Sequence, residues 1–93
     1  MVKDNLKEIQ VLIKKVSNFA EFLFTAYNGK ASLDDAFSLL LLLTELREKN
    51  SLLKTTTKVE KNNFAFFDAS LREKEIEQNI EEVKSFMVSF CNN

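Results

Sequence analysis

The run Ala36-Phe37-Ser38-Leu39-Leu40-Leu41-Leu42-Leu43-Thr44-Glu45-Leu46 places five leucines in succession, so a helix built from it is apolar on every side. A surface helix shows one apolar stripe, whereas a helix that is hydrophobic all round belongs at the centre of a bundle or at a subunit contact. The run falls well short of the roughly 20 apolar residues that cross a bilayer. It predicts a core or interface helix over about 33–49. Leu33, Phe37, Leu40 and Thr44 mark one of its faces, and Ala36, Leu39, Leu43 and Leu46 an adjoining one. Once two neighbouring helices are in place, Leu41 or Leu42 is left pointing outward.

Upstream, Leu6, Ile9, Ile13, Val16, Ala20, Leu23 and Tyr27 recur at alternating spacings of 3 and 4. That is the period of one helical face, and it predicts a helix over about 4–28. Leu12, Phe19 and Ala26 widen the stripe enough to touch more than one neighbour. The same heptad regularity also suits a helix that pairs with a copy of itself. Asn5 or Asp4 is the expected N-cap, with Glu8 placed to reach back to it. Asn28-Gly29 is the expected stop, because glycine takes the left-handed conformation of a helix C-cap at little cost. Ser32-Leu33-Asp34-Asp35 then fits a capping box for the leucine helix. An EF-hand reading of this turn fails: with Gly29 at the sixth loop position, Phe24 and Ala26 fall where oxygen ligands belong.

A second capping signature, Ser70-Leu71-Arg72-Glu73, precedes Ile76, Ile80, Val83, Met87 and Phe90, spaced 4, 3, 4 and 3. It predicts a third helix over about 70–91. Glu73, Glu77 and Glu81 form one i, i+4 row on it, either a solvated face or a docking surface for a basic partner. Between 51 and 68 the periodicity breaks. Thr55-Thr56-Thr57-Lys58-Val59 has β-propensity, and Asn62-Asn63 offers a turn back toward Phe64-Ala65-Phe66-Phe67. The expectation is an irregular connector, as an ordered loop or helical extension, or else a hairpin. Phe64, Phe66 and Phe67 would anchor it to the helices or protrude toward a partner.

Composition supports helices throughout. The 93 residues include no proline and one glycine, with 45% apolar and 29% charged residues, which suits one all-α domain over 1–93 built as a small three-helix bundle. A formal net charge of -1 supplies no field that would gather nucleic acid or an anionic membrane. The nearest basic cluster, Arg47, Lys49, Lys54, Lys58 and Lys61, is diluted by Glu45, Glu48 and Glu60. The single Cys91 cannot close an internal disulfide, and no signal-type apolar segment follows Met-Val-Lys-Asp. An interior cellular location is therefore expected.

The chain holds no histidine, so proton transfer near neutral pH would fall to a perturbed carboxylate or lysine, and the carboxylates sit in caps or on polar helix faces where water keeps them ordinary. Cys91 has no histidine to activate it as a nucleophile. One glycine and one cysteine cannot form a phosphate loop or a zinc ligand set. The reading is noncatalytic, with no cofactor and no metal.

The block Asn28-Gly29-Lys30-Ala31-Ser32-Leu33-Asp34-Asp35-Ala36-Phe37-Ser38-Leu39-Leu40, with the later Asp68-Ala69-Ser70-Leu71-Arg72-Glu73-Lys74-Glu75-Ile76, resembles a group of small helical proteins of tailed bacteriophages. In that group a long helix leads through an acid-Gly-Lys turn into a leucine-rich helix, then a connector and a capped last helix. Here Asn28 replaces the acid, Ala31 replaces a β-branched residue, and the proline of the leucine helix is absent. The resemblance implies a noncatalytic viral component bound in or near the virion, and it transfers no site residues.

Two functions follow as expectations. The first is a structural or assembly protein that acts by self-association or by docking on a larger protein, in the host cytoplasm or on the virion. The second is a small regulatory inhibitor, such as a phage-encoded anti-defence protein, whose acidic third helix occupies a basic or nucleic-acid-binding target. The candidate interface comprises Leu39, Leu41, Leu42, Phe64, Phe66, Glu73, Glu77 and Glu81. A protein partner is expected, including further copies of the chain; membrane and nucleic acid are not.

Overall fold

The computed structural model describes the backbone of residues 2–25 and 32–91, and the side chains of 4–23 and 32–89. Three helices follow one another: α1 (Val2–Thr25), α2 (Leu33–Val59) and α3 (Asn63–Cys91). The fold is the expected all-α bundle of three helices. Cross-helix ion pairs set the directions. Lys49 on α2 meets Glu8 on α1 at 3.1 Å, while Arg47 and Lys54 on α2 meet Glu77 and Glu73 on α3 at 3.5 and 3.2 Å. Both neighbours thus run antiparallel to α2. The result is a rod of 49 × 20 × 16 Å, close to the length of its longest helix at about 1.5 Å per residue.

α2 is the central element. Its buried residues Ala36, Leu39, Leu43, Leu46, Asn50, Leu53 and Thr57 alternate spacings of 3 and 4 without a break. They close on Ile9, Leu12, Val16 and Leu23 from α1 and on Ile76, Ile80 and Val83 from α3. Between α1 and α3, by contrast, no Cα pair of the described residues comes within 8 Å. The two outer helices lie on either flank of α2 and leave a groove between them.

Of the forms expected for 51–68, the helical extension is the one found, and the irregular or hairpin-like connector is corrected. α2 runs on to Val59 and α3 begins at Asn63, so no hairpin or long loop occupies that stretch. The periodicity continues through it in polar disguise, because Asn50 and Thr57 stand at core positions where leucine would be expected. The β-branched threonines are accommodated by bonding back along the helix. Thr55 Oγ1 donates to the Ser51 carbonyl, Thr56 Oγ1 to that of Leu52 and buried Thr57 Oγ1 to that of Lys54, at 3.1, 2.9 and 2.9 Å.

Reversal takes only Glu60, Lys61 and Asn62. Lys61 has φ 58°, Asn62 N donates to the Thr57 carbonyl at 2.9 Å, and Asn62 Oδ1 accepts from Ala65 N at 3.2 Å. Asn62 therefore caps α3. Ser70, expected as the cap, lies inside the helix with its hydroxyl bonded to the Phe66 carbonyl at 2.9 Å. Asp4 and Asn5 likewise stand inside α1, which already begins at Val2. The Ser32 capping box is present as expected. Asp35 N donates to Ser32 Oγ at 3.2 Å, and Ser32 N donates to Asp35 Oδ2 at 3.0 Å. The expected end of the first helix at 26–28 and the Gly29 stop lie outside the described residues.

Candidate interaction surfaces

The five leucines divide according to the side of α2 each occupies. Leu39 and Leu43 are in the core at 1% and 0% exposure, and Leu40 and Leu42 are partly buried against it. Leu39 is thus corrected from a candidate contact to a core residue, since a side chain enclosed on all sides cannot meet a partner. Leu42 borders a shallow hollow with Phe19 and Phe22 of α1, whose rings meet edge to face at 6.0 Å. Leu41 is the leucine that faces outward, at 58% exposure.

Leu41 does not stand alone. Phe37 and Leu52 are more than half exposed and Val59 is more exposed still. At about 100° per residue these positions lie across the helix from the Leu39, Leu43 and Leu46 seam. α2 therefore carries one apolar face packed between α1 and α3 and, in water, a second side on which Phe37, Leu41, Leu52 and Val59 alternate with Glu45, Glu48 and Thr55. The leucine run made the second face legible only in part, because Leu52 and Val59 lie beyond it.

At the α2–α3 turn, Phe64 and Phe67 are strongly exposed, so neither anchors the turn to the helices. Phe66 is half-buried. Its ring receives the Lys54 ammonium at 5.6 Å from the centroid, while the same ammonium binds Glu73 Oε1 at 3.2 Å. That three-way contact ties Phe66 and Glu73 into the α2–α3 seam.

The acidic row is likewise drawn inward. Glu73 and Glu77 answer Lys54 and Arg47 of α2, and Glu81 pairs with Lys84 one turn along at 3.7 Å. Such exposed pairs contribute about 0–1 kcal/mol each. Their consequence here is geometric: the row does not present a continuous free carboxylate face.

One polar network lies in the core. Buried Asn50 donates through Nδ2 to the Ala69 carbonyl at 2.9 Å and accepts from Arg72 Nη1 at 3.0 Å. Arg72 Nη2 binds Asp68 Oδ2 at 2.6 Å. Sequence reasoning passed over this network because an asparagine after a charged run looks like a helix end. The signal was its heptad position.

The groove between α1 and α3 has a volume of about 370 Å³. Val16, Leu46 and Ile76 line its floor, and Ser17, Glu75 and Asn79 stand on its rim. Among the described residues, no group of three or more His, Cys, Asp or Glu side chains is placed to hold a metal. No described helix is long and apolar enough to cross a membrane. Comparison with protein-family models, with curated proteins and with solved structures gives no match for this chain.

Proposed function

We propose that this chain is a noncatalytic structural or assembly protein that works by packing against copies of itself within a larger protein assembly. One observation carries the reading: on its outer side α2 presents Phe37, Leu41, Leu52 and Val59, each more than half exposed. Phe37 and Leu41 adjoin one turn apart, and Leu52 and Val59 follow along the same side beyond Glu45 and Glu48. Exposed apolar side chains grouped on one side and rimmed by polar residues mark interaction sites. The small-phage-protein resemblance of the Asn28 to Leu40 block supports a viral component acting in the host interior or on the particle. The inhibitor reading draws less support, because Glu73 and Glu77 are engaged by Lys54 and Arg47 of the same chain.

Sedimentation at tens of micromolar tests the proposal. The wild type is expected above monomer mass, and Leu41→Lys is expected to lower that mass with helicity unchanged. A monomeric wild type overturns it.

A further inference from the structure

Among the described residues, the three most exposed large apolar side chains all lie at one end of the rod: Phe64 at 85%, Val59 at 77% and Phe67 at 62%. They flank the Glu60 to Asn62 reversal, so they form a convex tip and not a face. Lys58 and Lys61 stand beside them, and neither ammonium is in an ion pair among the described residues. The tip is apolar and aromatic, and Glu60 between the two lysines leaves its border with a small cationic excess.

A concave counterpart occurs on the same chain. The α1–α3 groove of about 370 Å³ has an apolar floor and is edged by Ile13 and half-exposed Leu71. A cavity of about 150 Å³ accommodates benzene, so the groove has room for an aromatic side chain. Its α3 rim carries Glu75, and the adjoining hollow of about 120 Å³ carries Glu82. Neither carboxylate has an ion pair or hydrogen bond among the described residues, whereas Asp68 and Arg72 on the same rim neutralise each other at 2.6 Å. The groove has an apolar floor at Val16, Leu46 and Ile76 and polar walls of Ser17, Asn79 and the Asp68–Arg72 pair. Its rim charges left unpaired among the described residues are acidic, opposite in sign to Lys58 and Lys61 of the tip.

We propose that the α2–α3 tip of one copy seats in the α1–α3 groove of another, with Phe64 entering between Ile13 and Leu71 while Lys58 and Lys61 meet Glu75 and Glu82. This rests on the self-association reading above and adds a second contact to it. The contact joins two different surfaces, so each copy offers one tip and one groove, and the association repeats head to tail unless it closes on itself. The outer strip of α2 then joins copies side by side.

The test uses chains carrying Leu41→Lys, in which the side-by-side contact is removed. Phe64→Ser disables the tip, and Glu75→Lys with Glu82→Lys reverses the groove border; all three positions are exposed, and circular dichroism melts verify that the variants fold. Leu41→Lys alone is expected to sediment above monomer mass, and each further variant alone as a monomer. An equimolar mixture of the two is expected to give one-to-one pairs, because one member keeps its groove and the other its tip. Persistent association of the Phe64→Ser chain, or no pair in the mixture, overturns the tip contact. A monomeric Leu41→Lys chain beside an associating wild type overturns it too and leaves the self-association reading standing; a monomeric wild type overturns both.

Discussion

The side-chain amide of Asn50 on α2 donates to the main-chain carbonyl of Ala69 on α3 at 2.9 Å, with both residues essentially buried. A polar group enclosed in a core is costly unless bonded, so this contact favours one register of α2 against α3 over its neighbours. Shifting α3 by a turn would strand the amide and separate Arg72 from the Asn50 oxygen it binds at 3.0 Å.

Asn50→Ala removes both bonds and leaves a void, so it should lower unfolding stability by about 1–3 kcal/mol. Urea denaturation checks this. An unchanged midpoint would show that Asn50 is not enclosed as described.

Lys61 occupies the left-handed region at φ 58°, where a β carbon is strained and glycine is not. Lys61→Gly should keep stability or raise it slightly, and Lys61→Val should lower it by about 1 kcal/mol or more. Thermal midpoints of the two variants in the same buffer should differ in that order. The reverse order would mean the turn is built differently.

Ser32→Ala should cost about 1 kcal/mol, because the hydroxyl oxygen is the acceptor for Asp35 N at the start of α2. Ser70→Ala should cost far less, since that hydroxyl only adds a second donor to a carbonyl already within the helix. Comparing the two melting shifts tests which of two identical-looking motifs begins a helix.

Leu39→Lys places an uncompensated charge in the core and should abolish cooperative folding, while Leu41→Lys should leave the far-ultraviolet circular dichroism spectrum unchanged. Equal damage from both would contradict the assignment of inner and outer faces.

Changing both Glu77 and Glu81 to Gln loses the 3.5 Å contact with Arg47 and the 3.7 Å contact with Lys84, and also relieves repulsion along α3. The opposing effects should nearly cancel, within about 0.5 kcal/mol, with less difference from wild type as salt rises. A large loss of stability would mark the row as a principal support of the α2–α3 seam.

The sequence by itself determined the helical class, since a chain without proline and with a single glycine offers little to interrupt helices. It also determined the apolar positions Ile9, Val16 and Leu23 of α1 and Ile76, Ile80 and Val83 of α3, because helical period is written in spacing alone. The Ser32 box was legible for the same reason: all its partners lie within four residues.

Tertiary structure decided what spacing could not. Ser70 repeats the capping pattern of Ser32, but Asn62 starts the helix upstream, and a local motif carries no record of whether the chain is already helical. Asn50 and Thr57 interrupt the apolar pattern in sequence yet complete it in space, because α3 supplies the Ala69 carbonyl for one and the α2 backbone a carbonyl for the other. Leu41 and Leu42 are equivalent in sequence. Packing by α1 on the side of Leu42 separates them, and it leaves Leu41 in water.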